Sequence, residues 1–234
     1  EGLGEIGKDN AQGEYYLTDL VGVAQKKGLR CSAHIVSDPV EVMGINTRVD
    51  LALANEVLQR AKIRALMLSG VTMVDPKTTY VDQTVEVGKD TILYPNCHLQ
   101  GRTKIGERCI LEPNSKILDS IVSNDVTIRS NSVITESKIE EGASIGPFSH
   151  LRPLSEVKTR AKIGNFVEVK KSVIGRGSKA NHLTYIGNSM VGEEVNIGAG
   201  TITCNYDGFE KHPTVIGDKV FVGSNVDLVA PVKV

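Results

Sequence analysis

The chain has 234 residues, a formal net charge of −1, no Trp and only 4% aromatic residues. A net charge this close to zero excludes the broad basic surface that would attract nucleic acid or an acidic membrane. We therefore expect neither partner, and no apolar run is long enough to span a bilayer. With so few aromatic side chains, the core must be filled by aliphatic ones.

The four cysteines do not form a Cys-x-x-Cys pair. Cys97 and Cys109 occupy small-residue positions of the repeat described below, so we expect buried, reduced thiols. Reduced cysteines and the lack of a signal peptide favour the cytoplasm.

The first 68 residues predict loops, one short strand and two helices. Residues 1–15 are rich in Gly and polar groups and predict a loop. A helix is expected over 16–27, a strand over 31–36, and a loop or strand over 39–45. Thr47 is a plausible N-cap, with Asp50 in the first turn of a helix that runs to Leu68 and stops at Ser69-Gly70.

From residue 87 onward, branched aliphatic residues recur every sixth position. Small residues follow four positions after the early rungs, and Gly often follows the rung itself. A period of six fits neither an α-helix nor a simple strand, but it fits a β-helix in which each hexad is one short strand and one corner. The rungs are Val87, Leu93, Leu99, Ile105, Leu111 and Ile117, then Ile139, Ile145, Leu151, Val157, Ile163 and Val169, then Ile216, Val222, Leu228 and Val234.

The repeat is interrupted in a few places. Its register slips near Asp119-Ser120 and near Val191, and the largest break, from Cys204 to Thr214, predicts a loop that projects from one corner. Long loops on a regular scaffold often carry function. Polar residues also crowd the stretch Lys179–Gly187, which includes Asn181, His182 and Tyr185.

Seven stretches together resemble a known family. They are residues 13–19, 44–48, 145–153, 163–171, 182–187, 196–208 and 220–224. They are similar to the bacterial bifunctional GlmU family, whose members join an N-acetylglucosamine-1-phosphate uridyltransferase to a glucosamine-1-phosphate N-acetyltransferase. The run 196–208 is the most specific, because no hexad rule demands Cys-Asn-Tyr-Asp-Gly.

The resemblance implies a mainly β protein built on a left-handed parallel β-helix. This hand runs against the usual crossover rule and cannot be obtained from the hexad count. The resemblance also implies a homotrimer with acetyl-transfer sites between neighbouring β-helices. Residues 1–68 would be the end of the nucleotidyltransferase domain with its linking helix, and residues 69–234 the acetyltransferase β-helix.

The resemblance also assigns the site residues. Acetyl transfer needs a base for the amine, donors for the developing oxyanion and cations for the sugar phosphate. His182 is the candidate base, and Glu168 the carboxylate that would hold its ring. The predicted sugar-phosphate contacts are Arg152, Lys170, Tyr185, Asn196 and Lys211, and the predicted acetyl-CoA contacts are Ala199, Asn205, Tyr206 and Ser224. Without the resemblance, His182 would be interpreted as a corner residue and the cations as solvated surface groups.

Asn46 matches the family residue that helps to hold Mg²⁺ for uridylyl transfer, although an Asn beside a helix start also suits capping. One amide cannot hold Mg²⁺ alone. The family's Gly-rich phosphate loop and acidic metal ligand are missing from these residues, so we expect no uridylyl transfer from this chain by itself. The family also continues past Val234 to a basic tail that contacts acetyl-CoA, so we expect residues 1–234 alone to be weak or inactive in acetyl transfer.

Two other functions fit the repeat. The first is a β-helix that serves only assembly, in which His182 and Lys170 have no chemical role. The second is a trimeric metalloenzyme of the carbonic-anhydrase type, with His ligands for zinc shared across an interface. The dispersed His residues favour it less than the acetyltransferase.

Overall fold

The structure is a computed structural model that describes residues 2–234. The chain divides into two compact units, one reaching to Ala54 and the other covering Asn55–Val234. The boundary falls inside a long helix, and the predicted division at residue 68 stays a prediction.

The first unit is mostly irregular. It contains 3-10 helices at Gly2–Glu5 and Pro39–Val42 and a helix, α1, at Asp19–Lys26. The prediction of a strand over residues 31–36 is wrong, because this segment is irregular in the structure. A strand forms only against a hydrogen-bonding partner, and within residues 2–234 no strand lies beside it.

Helix α2 covers Arg48–Leu68. Thr47 caps its N-terminus, as expected. The Asp50 backbone N–H donates to the Thr47 hydroxyl at 3.1 Å, and the Thr47 N–H donates to the Asp50 carboxylate at 2.8 Å. These reciprocal bonds satisfy donors at the helix start. Hydrogen bonding from the Thr47 hydroxyl, and then from nearby backbone N–H groups, lowers the pKa of Asp50. No helix in residues 2–234 is both long and apolar enough to cross a membrane.

Residues 72–233 form a succession of very short parallel strands. Within the described residues they are β1 Thr72–Met73, β2 Tyr80–Val81, β3 Glu86–Val87, β4 Ile92–Leu93, β5 His98–Gln100, β6 Lys104–Ile105, β7 Ile110–Leu111, β8 Lys116–Leu118, β9 Ile121–Val122, β10 Thr127–Ile128, β11 Val133–Thr135, β12 Lys138–Ile139, β13 Ser144–Ile145, β14 His150–Leu151, β15 Glu156–Val157, β16 Lys162–Asn165, β17 Glu168–Lys170, β18 Val173–Ile174, β19 Lys179–His182, β20 Tyr185–Gly187, β21 Ser189–Val191, β22 Asn196–Ile197, β23 Ile202–Cys204, β24 Thr214–Ile216, β25 Phe221–Val222, β26 Asp227–Val229 and β27 Val232–Lys233.

Every third strand belongs to the same sheet. Sheet 1 runs β1, β4 and so on to β25, sheet 2 runs from β2 to β26, and sheet 3 from β3 to β27, each with nine parallel strands. The fold is therefore a parallel β-solenoid of about nine coils, which confirms the mainly β, hexapeptide-repeat prediction. Its handedness stays a prediction.

The aliphatic rungs fill the interior. Leu93, Leu99, Leu111, Ile117 and Leu151 are each 0% exposed. Burying such a side chain contributes roughly 1.5–3 kcal/mol. Only rungs near the two ends depart from the prediction: Val87 and Leu228 are half-buried and Val234 is exposed. Cys97 and Cys109 lie in the core as expected, and burial raises the pKa of Cys97 to about 11.

One corner position repeats in the left-handed backbone region from coil to coil. We call it the corner column, and it consists of Asn96, Asn114, Asn131, Phe148, Phe166 and Leu183, all with positive φ. The first three suit this conformation, because Asn tolerates it better than most residues. Their amides are also hydrogen-bonded in series at 3.2 Å. The last three are exposed apolar side chains, and the Phe148 and Phe166 rings lie 5.4 Å apart.

The stacked interior predicts where substitutions destabilise the protein. Ile128→Ala removes a fully buried rung and should lower the free energy of unfolding by about 2–5 kcal/mol. Ile121→Ala is the matched control, since Ile121 is 50% exposed and pairs with Lys104 and Lys138 on the outer face. It should cost less than about 1 kcal/mol. Urea unfolding followed by circular dichroism compares the two, and equal losses would contradict the interior position of Ile128.

Candidate functional site

Three cations meet on the outer face of sheet 2. Arg152 follows β14, Lys170 ends β17, and Lys211 lies in the loop between β23 and β24. Lys211 is close enough to Lys170 to be the largest cause that lowers the pKa of Lys170, and the charge of Arg152 is the next cause. Like charges held this closely are unfavourable unless an anion joins them, so this cluster is suited to a phosphate.

Glu168 balances part of this charge. Its carboxylate accepts a hydrogen bond from Arg152 Nη1 at 2.8 Å, and this contact raises the pKa of Arg152. Within residues 2–234, the hydrogen-bond partner of the Glu168 carboxylate is Arg152. The expectation that Glu168 holds the His182 ring stays a prediction.

Tyr185 lies beside the same cluster. It pairs with Glu168 in the adjacent coil, and its hydroxyl lies over Gly187. A Cβ on Gly187 would come 2.4 Å from that hydroxyl and 2.7 Å from Asn205 Nδ2. Only glycine leaves room for this arrangement. Gly187 therefore belongs to this cluster; the sequence included it in the 182–187 motif but gave it no individual role.

His182 lies at the corner between sheets 1 and 2. It ends β19 and pairs with Asn165 of β16, and its ring is exposed. It lines a groove of about 250 Å³ together with Arg129, Lys162 and Asn181. Within residues 2–234, neither Arg129 nor Lys162 forms an ion pair.

Two predicted acetyl-CoA contacts follow His182 along the same corner. Ala199 and Ser224 hold the equivalent position in the next two coils, since β19 pairs with β22 and β22 with β25. Neighbouring coils are about 4.8 Å apart. The three residues thus form a short row along one corner of the solenoid.

The other predicted contacts are divided between two places. Asn205 is buried, and its Nδ2 donates to Asn188 Oδ1 at 2.8 Å, next to the sheet 2 cluster. Tyr206 follows it in the projecting loop. Asn196 lies on sheet 1 instead, in a groove of about 480 Å³ that it shares with Arg160, Arg176 and Lys179. Within one chain, Asn196 is therefore on a different sheet from the cation cluster.

The predicted metal residue, Asn46, lies in the first unit. The nearest carboxylate in sequence, Asp50, accepts hydrogen bonds from the Asn46 and Thr47 backbones and from the Thr47 hydroxyl. That carboxylate serves the helix cap. In residues 2–234, no group of three or more His, Cys, Asp or Glu could hold a metal ion. These residues do not fit a magnesium site.

The comparisons with known proteins agree with the hexapeptide-repeat fold. A family profile described as bacterial transferase hexapeptide (six repeats) matches residues 84–119. The chain is 54% identical over 232 residues to the bifunctional protein GlmU of Trichlorobacter lovleyi, covering 99% of this chain and 50% of that protein. It is 55% identical over 226 residues to GlmU of Geotalea uraniireducens, covering 97% of this chain and 50% of the relative. The chain is homologous to GlmU.

The chain spans about half the length of these GlmU relatives. A solved structure of a UDP-N-acetylglucosamine acyltransferase is 12% identical, with a TM-score of 0.44 over 66% of this chain and 71% of that one. A similarity this low supports no argument about function.

The structure adds residues that the GlmU motifs did not point to. Arg129 and Lys162 line the groove of His182 although they lie 53 and 20 positions before it. The hexad count could have placed them on one face, since coil neighbours are 17 or 18 positions apart. It could not have shown that His182 lines the same groove as these two residues.

The cation cluster leads to a direct prediction. Lys211→Ala removes the neighbour that disfavours the charged form of Lys170, so the pKa of Lys170 should rise. The side-chain ¹⁵N and ¹³C resonances of Lys170, followed through a pH titration by NMR, measure this. Lys162→Ala, on the other sheet, is the control and should leave the titration unchanged. A Lys170 titration that is identical in the wild type and Lys211→Ala would contradict the contact.

Proposed function

We propose that residues 69–234 form an acetyltransferase that moves the acetyl group of acetyl-CoA to the amine of glucosamine 1-phosphate. The observation that carries this proposal is the cluster of Arg152, Lys170 and Lys211 on sheet 2, in a chain that is 54% identical to GlmU over 232 residues. His182 lies at the corner between sheets 1 and 2. Residues 1–68 are assigned to the end of the nucleotidyltransferase domain of the same protein. The parent enzyme would also transfer uridylyl from UTP, a Mg²⁺-dependent step that this chain's residues do not supply.

The sugar phosphate would bind to the sheet 2 cluster. Arg152 presents a planar pair of donors and each Lys a compact charge. A bound phosphate would attract both ammonium groups and so offset the repulsion between Lys170 and Lys211. Tyr185 would contact the sugar or its phosphate from the same face, and Glu168 would keep the Arg152 guanidinium oriented.

His182 would take the proton from the amine as the nitrogen attacks the thioester carbonyl. The new C–N bond forms a tetrahedral oxyanion, whose collapse breaks the C–S bond. The sulfur leaves as a thiolate and takes from the imidazolium the proton that His182 removed from the amine, which gives the free thiol of coenzyme A and restores the neutral imidazole. Ala199 and Ser224 lie on the same corner, where they would line the path of the pantetheine arm.

Thiol release tests the base assignment. With acetyl-CoA and glucosamine 1-phosphate, His182→Ala should reduce the rate at least about 100-fold, the usual contribution of a positioned base. His98→Ala is the control, since His98 stacks on Tyr80 in an early coil. The equivalent substitution in Trichlorobacter lovleyi GlmU is measured in parallel, because activity of residues 1–234 alone is expected to be weak. Unchanged thiol release in His182→Ala and in the equivalent variant of the relative would contradict the proposal and favour an assembly module.

We also propose a homotrimer, with the acetyl-transfer site shared between chains. Two features support it. Asn196 lies on sheet 1, whereas its proposed partners lie on sheet 2, so a neighbouring chain could bring the two faces together. The corner column changes from Asn to exposed Phe148 and Phe166, which favour the left-handed conformation less than Asn does. Burial against a second copy would offset that cost.

The double substitution Phe148→Asn/Phe166→Asn restores the residue type of the earlier coils. It should shift the protein from about three times its 25.2 kDa chain mass toward the monomer, as measured by sedimentation equilibrium. Asn114→Ala, at the same position of an earlier coil, should leave the mass unchanged. A double variant with wild-type mass would show that the apolar part of the column does not hold the chains together.

A further inference from the structure

The loop that carries Lys211 is folded into a small hairpin of residues 205–212, which we call the 205–212 hairpin. Tyr206 and Lys211 form an antiparallel bridge, and the His212 N–H donates to the Asn205 carbonyl at 2.8 Å. Gly208 forms the turn with a φ of +101°, which favours glycine. Neither Asp207 nor His212 has a role in the chemistry proposed above.

Asp207 organises the turn of this hairpin. Its carboxylate accepts hydrogen bonds from the backbone N–H of Phe209 at 2.8 Å and of Glu210 at 2.7 Å, and it lies 2.6 Å from His212 Nε2. The Glu210 N–H first, and then His212, hold the pKa of Asp207 well below its usual range. Asp207 is therefore ionised and able to accept these hydrogen bonds at neutral pH.

The hairpin opposes an electrostatic force. The ammonium groups of Lys170 and Lys211 repel each other, and Arg152 adds to the repulsion. Lys211 is exposed and lies on a loop, so a flexible loop would let it move away into water. The hairpin must supply the restraint that keeps Lys211 in place.

We propose that Asp207 and His212 are positioning residues, which close the 205–212 hairpin and hold the Lys211 side chain against Lys170 to preform the phosphate site. The inference rests on the proposed function for the identity of the ligand. The Phe209 and Glu210 contacts shape the tip of the turn. The His212 contact instead ties the tip to the returning strand, at the residue next to Lys211. Holding cations in place before the anion arrives lowers the cost of binding.

The first measurement is calorimetric binding of glucosamine 1-phosphate to the whole chain. His212→Ala should weaken binding about five- to tenfold, a loss typical of one coupled contact. His212→Gln can still donate to Asp207 and should retain most of the affinity. Lys211→Ala should weaken binding at least as much as His212→Ala. In the double variant Lys211→Ala/His212→Ala, the second change should add nothing, because its effect passes through Lys211.

The second measurement does not depend on the ligand. His212→Ala and Asp207→Asn should both raise the pKa of Lys170 in the NMR titration, as Lys211→Ala does, because Lys211 is then free to move away. His34→Ala, in the first unit, is the control. Wild-type Lys170 titration and wild-type affinity in His212→Ala would overturn the inference, and so would additive effects of His212→Ala and Lys211→Ala. If wild type binds no glucosamine 1-phosphate while the pKa shifts occur, the proposed function fails and the positioning role stands.

Discussion

Backbone pairing between successive coils is the constraint on which the rest of this structure depends. Each coil contributes one short strand to each of three parallel sheets, and each strand except those of the first and last coils pairs with the coils before and after it. Most strands then point one or two residues into a narrow interior, which is filled chiefly by branched aliphatic and small side chains. The neighbours of these residues point outward and carry little of the packing. The outer faces are therefore free to carry charge, and the cation cluster and the His182 corner both lie on such positions.

The positive charge of the site is only partly neutralised, and the positions of the residues in the fold keep the cations together. Glu168 pairs with Arg152, but Lys170 and Lys211 face each other. The unfavourable contact persists because one Lys is fixed on a strand and the other on a hairpin closed by Asp207 and His212. Under the proposed function, such a site would gain more from a dianion than from a neutral sugar.

The hexad count predicted the solenoid and its core, because burial in a coil obeys a rule of fixed period. The cap of α2 at Thr47 was also predictable, since capping is local. The strand expected over residues 31–36 failed because β-pairing needs a partner that local sequence does not reveal. At the site, motifs named His182 and the Arg152, Lys170 and Lys211 set. Arg129 was not identified, and Gly187 was noted only as part of the 182–187 motif, because their roles depend on which side chain from another coil lies beside them.

The stacked coils also act as a ruler. Each adds about 4.8 Å to the length of the solenoid, and α2 packs Ile63 and Leu66 against the first coils. About four coils separate β1 from the coil that contains Arg152, a spacing of roughly 19 Å. Removing or duplicating one coil would slide the whole site along the solenoid by a single fixed step without altering its internal arrangement. The distance between α2 and the site can therefore change only in steps of one coil, and evolution could lengthen or shorten it only by whole coils.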